Sequence, residues 1–400
     1  MYEIRAGIPV WGRPDAGALK QMATCARQAH RTALMADHHL GYAVPIGGVV
    51  AYLDQVSPSG VGYDIACGNK AVQLDIKVEA VRPQLAEIMD EIYTSLSFGV
   101  GRVNDEEVAH PLFEDDPAWD LEVAAELKDL ARRQLGTIGS GNHYVDLLSD
   151  GDGLLWCGVH FGSRGLGHKL ASHFIKAGGG KDGMQVEPVV LQADSFLGRE
   201  YIACMKLAGR YAYAGRNWVC DKVAALLGGR IVQSVHNHHN FAWQEVHGGQ
   251  SMWVVRKGAT PCWPGQRSFI GGSMGDISVI IEGKSSAEAP LALHSTVHGA
   301  GRVMSRTRAR GKHKWKRGRQ GKKQLIKVSE GEISEEMMRQ WIRDFNNVEL
   351  RGGGTDESPQ VYKRLSEVLE YHQDSFAIKH VLHPIGVAMA GGDIFDPFRD

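Results

Sequence analysis

The chain has 400 residues, is 43% hydrophobic and 23% charged, and carries a formal net charge of −1. That is apolar material for a substantial core, and the charge balance excludes a uniformly basic nucleic-acid coat protein, so any basic surface has to be local. No apolar run approaches the ~18 residues needed to span a bilayer, and the opening MYEIRAGIPVWG lacks the layout of a secretion signal. The six cysteines, at 25, 67, 157, 204, 220 and 262, form no C-x-x-C pair, so neither a disulfide framework nor a ribbon-type zinc site is expected. A reducing, cytoplasmic location without a membrane partner is the expectation, and there a cysteine is free to act as a thiolate ligand.

Apolar spacing predicts a helix over 16–34, then strands over 47–53 and 70–76. Helices are predicted over 79–97 and 120–134, and the short apolar run 154–160 reads as a buried strand. AGGGKDG (177–183) reads as a loop. One long helix or two abutting ones are predicted over 193–227, followed by short strands between 231 and 282. Helices return over 333–346 and 358–374, and an apolar strand closes the pattern near 378–389. Strands and helices mix without a βαβ rhythm, which predicts an α+β fold. The polar motifs are spread from residue 37 to residue 301, which predicts one integrated catalytic domain over 1–400.

Those motifs share one style, a metal-ligand residue beside glycine or asparagine: ADHHLG (36–41), GYDIACG (62–68), GSGNHYVD (139–146), GVHFGSRGLG (158–167), HNHHNFAW (236–243) and VHGAGR (297–302). Asp64 and Cys67 are three apart, so a turn can aim both at one place. A thiolate can bridge two cations, although an O/S/N donor set does not identify the metal. Taken singly, each residue has an ordinary reading. Cys67 alone is a small buried hydrophobe, His143 or His160 alone is a hydrogen-bonded core histidine, and His298 alone is a loop residue. The density of His236, His238 and His239, and the repeated glycine-rich context, shift the balance to a site.

GGSMG (271–275) and HGAGR (298–302) are loops whose amides can cradle phosphate oxygens. Neither is a Walker A motif, so an ordinary P-loop NTPase is not supported. Between 302 and 327 there are twelve Lys/Arg and no Asp/Glu, with Trp315 among them. Such a block suits a phosphate backbone and a stacked base as well as it suits a plain solvated loop.

In these segments the chain resembles the RtcB-type RNA ligases. The resemblance is carried by D-x-x-C at Asp64 and Cys67, G-x-x-G-S-G-N-H at 136–143, H-x-G-S-R-G-x-G at 160–167 and H-H-N at 238–240. It continues with G-S-M-G at 272–275, H-G-A-G-R at 298–302 and D-E-x-P-x-x-Y-K at 356–363. It implies mixed sheets around a central metal and nucleotide cleft with flanking helices, and a basic insertion at about 306–327. It implies two Mn2+ ions, one on Asp64, Cys67 and His143 and the other on Cys67, His160 and His239. His298 would attack GTP and become guanylylated. GMP would then pass to an RNA 3′-phosphate, opened first where it is a 2′,3′-cyclic phosphate, and a 5′-hydroxyl would displace it, on tRNA, rRNA or another RNA.

The resemblance also implies nucleotide contacts from Asn142, His143, Asp146, His239, Asn240, Ser278 and His298. The loops Gly271, Gly272, Ser273, Met274 and Gly299, Ala300, Gly301 complete that set. RNA contacts are expected from Arg164, Arg302, Arg306, Lys316 and Arg317. The match departs from the family pattern at several points. Met389 and Ala390 occupy the place of a lysine that recognises guanine, and Asp146 occupies that of a glutamate. Gly271 replaces a proline, and Val297 replaces a serine. Two competing functions are a two-metal phosphohydrolase or cyclic phosphodiesterase acting on RNA ends, and a non-catalytic RNA-binding paralogue. GTP-independent trimming would mark the first, and indifference to GTP and manganese the second.

Overall fold

In a computed structural model, the structure describes residues 1–181, 183–317 and 323–392. The strands Ile46–Tyr52 and Gln250–Lys257 pair antiparallel within a six-stranded sheet. Alternation gives that sheet two buried faces. Val50, Tyr52 and Val255 face one apolar cluster, while Val49, Ala51 and Val254 face another. Tyr2–Arg5, Ile8–Trp11 and Arg31–His39 extend it on one side and Asn240–His247 on the other.

A second sheet of eight strands runs Ile231–His238, Gly68–Lys77, Leu154–Phe161, Tyr144–Ser149, Phe376–Gly391, Ser278–Gly283 and Arg267–Ile270, with Glu349–Gly353 parallel to Phe376–Gly391. The helix Phe196–Leu226 starts where Ser195 Oγ accepts from the Gly198 N–H at 3.0 Å. Its later half sets Val219, Cys220 and Val223 against Val72, Val145 and Val159 of the sheet. Met89 and Ile92 of the helix Leu85–Ser95 cover the same face. The opposite face closes on itself around Ala71, Leu148, Trp156, Val235, Phe269, Ile280 and Leu382, and residues of both sheets line the cleft described below. The architecture is α+β, as the sequence predicts.

Several predicted elements change their bounds. The first helix runs only from Ala16 to Cys25, capped by Asp15, whose Oδ1 accepts from the Ala18 N–H at 2.7 Å. Residues 31–34, expected to be helical, instead begin the strand Arg31–His39, because Ala33, Leu34, Met35 and Ala36 are all buried between two apolar layers. A run buried on both sides has no periodicity to read. The 193–227 segment is one helix, and 358–374 holds only the 3-10 turn Pro359–Val361 and the short helix Leu365–Glu370. Within the basic insertion, His313–Arg317 pairs antiparallel with Lys323–Lys327. Its residues 318–322 and the side chains of Trp315 and Arg317 lie outside the described residues.

Candidate metal and nucleotide site

His239 is the single residue between the last strand residue of the large sheet, His238, and the first of the small sheet, Asn240. The crossover is tied to the cysteine loop by backbone bonds. His239 and Asn240 both donate to the Cys67 carbonyl, at 2.9 and 3.3 Å, and Ala66 donates to Asn240 at 2.7 Å. Ala66 takes a left-handed φ of 60° to turn the chain there, a conformation that non-glycine residues hold only when their surroundings fix it. Beneath the turn lies Arg216, fully buried on the long helix. Its Nη1 donates to the Ala66 carbonyl at 3.0 Å and to that of Phe161.

Arg216 also explains two of the clustered histidines. Its Nε donates to His236 Nε2 at 2.7 Å, and its Nη2 lies 3.0 Å from His238 Nδ1. Burial, reinforced by the guanidinium charge, holds both imidazoles far below the ordinary histidine range, so they are neutral acceptors. His239 points the other way. Its ring centroid lies 5.1 Å from His160 and 4.8 Å from His298, and its Nδ1 is buried without a partner.

Cys67 Sγ is 3.1 Å from His160 Nε2 and 3.7 Å from His143 Nε2, and ligand atoms of these three residues fall within 4.8 Å of one another. His143 Nε2 is also 3.0 Å from Asp64 Oδ2. Burial alone would raise the Asp64 carboxyl, but the His143 hydrogen bond and charge outweigh it and hold it well below the ordinary range. Burial, then the Asp64 charge, drives the Cys67 thiol well above its usual value. Burial keeps His160 and His239 well below theirs. A carboxylate, neutral imidazoles and a thiol awaiting a cation form a donor set that fits a divalent transition metal. His239, with its unpartnered Nδ1, stands beside this set. The Gly162 backbone closes on this group: a Cβ there would sit 2.2 Å from Asp64 Oδ1.

His298 adjoins the cluster through His239. Its Nδ1 lies 2.6 Å from Asp37 Oδ2, which also accepts the backbone N–H of His298 at 2.9 Å and that of Gly299 at 3.3 Å. Burial pushes the Asp37 carboxyl up, but the neighbouring His298 charge and hydrogen bonds carry it below the usual range. In the neutral ring, an Nδ1–H donated to this carboxylate leaves the lone pair on Nε2. Asp37 lies in the ligand-like segment 36–41, yet no sequence signal pairs it with position 298. Gly301 at φ 75° is required by the same contact, since a Cβ would meet the Asp37 carbonyl oxygen at 2.2 Å.

These residues line a cleft of about 590 Å³. Asp64, Cys67, His160, His239 and His298 contribute to its wall, as do Asn142, Asp146 and Asn240. The loops Gly271–Met274 and Gly299–Gly301 form the facing rim. His143 and Ser278 sit behind the lining: Ser278 Oγ accepts from the Gly272 N–H at 2.9 Å and shapes that loop. Asn240 Oδ1 accepts from the Gly258 N–H at 2.7 Å, and Met274 packs into an apolar cluster with Tyr144 and Met389.

The expected RNA-contacting arginines are engaged within the fold. Arg164 Nη1 lies 3.1 Å from His143 Nδ1. Arg302 donates to Tyr362 Oη at 3.1 Å and to the Asp356 carbonyl at 2.9 Å, and Arg306 pairs with Glu357 and, at 3.4 Å, with Asp356. The motif 356–363 is thereby accounted for. Its acids hold the rim arginines, Tyr362 donates to Glu357, and Lys363 Nζ donates to the Ala36 carbonyl at 2.8 Å beside Asp37. Lys316 is exposed on the basic hairpin, and Arg317 lies outside the described side chains.

A family model described as tRNA-splicing ligase RtcB matches residues 18–390. The RNA-splicing ligase RtcB of Escherichia coli is 28% identical over 415 residues, spanning 95% of this chain and 94% of its own. The tRNA-splicing ligase RtcB of Archaeoglobus fulgidus is 31% identical, spanning 89% of this chain and 86% of its own, and that of Pyrobaculum aerophilum is 30% identical over 88% and 86%. With the motifs in order along 373 of 400 residues, the chain belongs to the tRNA-splicing ligase RtcB family.

Proposed function

We propose that this protein is an RNA ligase that joins a 3′-phosphate or 2′,3′-cyclic phosphate end to a 5′-hydroxyl, using GTP and two Mn2+ ions, in RNA repair or tRNA splicing. The whole chain acts as one catalytic unit in this reading. Asp64, Cys67 and His143 would hold one ion, and Cys67, His160 and His239 the other. Bound cations supply charge neutralisation at the phosphoryl oxygens. His298 Nε2 attacks the α-phosphorus of the nucleotide. The new P–N bond forms as the bond to the pyrophosphate oxygen breaks, and pyrophosphate leaves with the electron pair. The RNA 3′-phosphate then takes GMP from His298, and the 5′-hydroxyl displaces GMP as the ends join.

The observation that carries this reading is the orientation of His298. Asp37 holds its Nδ1 at 2.6 Å, and its ring adjoins His239 at 4.8 Å. A nucleophile needs a free lone pair aimed at the reacting phosphorus, and the carboxylate leaves Nε2 as that atom. The exposed cations of the hairpin, Lys314 and Lys316, are read as backbone contacts for the RNA beyond the reacting end. Among the described residues no helix is long and apolar enough to cross a membrane. All six cysteines are free and buried, which suits the reducing cytoplasmic setting of this reading.

The test is intact-mass analysis after incubation with manganese and GTP. An acid-labile, base-stable adduct of one GMP is expected, absent from His298→Ala. A folded, metal-loaded protein that forms no adduct would reject the reading.

A further inference from the structure

The loop that forms one rim of the cleft links the strands Arg267–Ile270 and Ser278–Gly283. Gly272 and Ser273 are half-buried at its tip, whereas Met274, Gly275 and Asp276 are buried behind them. Such a loop has no ladder of its own, so its shape depends on what packs against its back. Ser278 holds one end through the Gly272 N–H.

The other end is held by the helix Glu335–Asn346. Met338 and Ile342 of that helix are buried in one cluster with Met274. Trp341, on the same face, donates from Nε1 to the Gly275 carbonyl at 3.1 Å, across 66 positions of chain. A Cβ on Gly275 would sit 2.9 Å from Trp341 Cδ1 and 2.8 Å from Pro359 Cγ, so the backbone is clasped between two rings. The Arg364 guanidinium lies over the indole, 5.3 Å from a ring centroid, and reaches Asp276 Oδ1 at 3.1 Å. Asp276 Oδ2 accepts from the Leu365 N–H at 2.9 Å. The indole therefore bonds one loop residue and supports the cation that pins the next. Trp341 itself does not line the cleft.

We infer that Trp341 is a positioning residue for the nucleotide, holding the loop 272–275 in the shape that receives it. This rests on the proposed nucleotidyl-transfer reading, in which that loop borders the nucleotide. Removing the indole N–H leaves the buried Gly275 carbonyl unpaired, and the loop has to shift toward water to satisfy it. A loop that must be drawn back on binding lowers affinity, because the ordering cost falls on the nucleotide.

The experiment is calorimetric binding of the α,β-methylene analogue of GTP, which cannot be cleaved at that bond, to the manganese-loaded protein. Trp341→Phe keeps a ring and loses the donor, and is expected to weaken binding by ~tenfold. Trp341→Ala also removes the support under Arg364 and should weaken it further. Manganese affinity, read with a chelating dye, should stay within about twofold in Trp341→Phe, because the metal ligands lie on other loops. Nucleotide affinity unmoved in Trp341→Phe, or manganese affinity lost by the same factor, overturns the inference. Intact-mass analysis of the unaltered protein with GTP separates the two levels. No adduct, with nucleotide binding still dependent on Trp341, removes the histidine-transfer reading alone; an adduct with binding indifferent to Trp341 removes the positioning role alone.

Discussion

Asp37 and His298 lie 261 positions apart, yet one carboxylate oxygen of Asp37 meets both the imidazole Nδ1 and the backbone N–H of His298, at 2.6 and 2.9 Å. One buried atom thus sets the ring's tautomer and anchors the loop that carries it. In that oxygen's place an amide either keeps these bonds through an uncharged carbonyl or turns its NH2 group there, which opposes the backbone N–H and reverses the tautomer. Asp37→Asn is therefore expected to slow nucleotide transfer to His298 by about 10²-fold or more, with little change in melting temperature. The check is quenched-flow intact mass, and an unchanged transfer rate would show that the tautomer does not depend on Asp37.

Metal affinity should climb with pH. Burial and the Asp64 charge raise the Cys67 thiol, so at neutral pH a cation has to displace its proton. His160 and His239 are held neutral by burial and give up none. Raising the pH removes the competing proton, so log affinity should rise by about one per pH unit between about 6.5 and 8. Competition against a chelating dye measures this, and a flat profile would contradict a thiol ligand. Cys67→Ala should abolish the pH slope along with most of the affinity.

Gly162→Ala is expected to act on the metal site without unfolding the protein. The added methyl would sit 2.2 Å from Asp64 Oδ1, so the carboxylate has to swing away from His143. A loss of about 10–100-fold in metal affinity is expected, with the circular dichroism spectrum preserved. Native affinity in this variant would place Asp64 outside the donor set.

Arg216→Met should destabilise the protein by about 3 kcal/mol or more, because two buried carbonyls, the buried His238 ring and the half-buried His236 ring lose their donor together. Chemical denaturation gives the number. Arg216→Lys is not expected to rescue it, since one ammonium cannot span a fork of four acceptors. A cost below about 1 kcal/mol would mean that the Ala66 turn holds itself.

The rim arginines and the hairpin lysines should separate in RNA binding. Arg302 and Arg306 already share their charge with Asp356 and Glu357, whereas Lys314 and Lys316 are exposed. Lys314→Ala and Lys316→Ala are each expected to reduce the slope of log affinity against log salt by about 0.7 for a single strand, across unrelated sequences. Filter binding at several salt concentrations is the measurement. Slopes equal to that of the unaltered protein would remove the hairpin from the RNA path.

What could be learned from the sequence alone was set by local physics. Glycines and ligand-type residues within a few positions of one another make turns whose purpose is visible in the string. Asp64 with Cys67, the 136–143 loop, the 160–167 loop and the 298–302 loop were all identifiable this way, and so was the α+β class. The short strand Tyr144–Ser149 and the strand Arg31–His39 were not, because both are buried on two faces and lack a period. Tertiary structure alone decided which of His236, His238 and His239 faces the cleft. Strand alternation and the buried Arg216 turn two of them inward, and the crossover between sheets releases the third. It also decided that Asp37 belongs to His298, and that Arg302 and Arg306 spend their charge on the Glu357 carboxylate, more than fifty positions away. Those choices depend on which surfaces the two sheets bring together, and a contact between distant positions leaves no periodic trace in the chain.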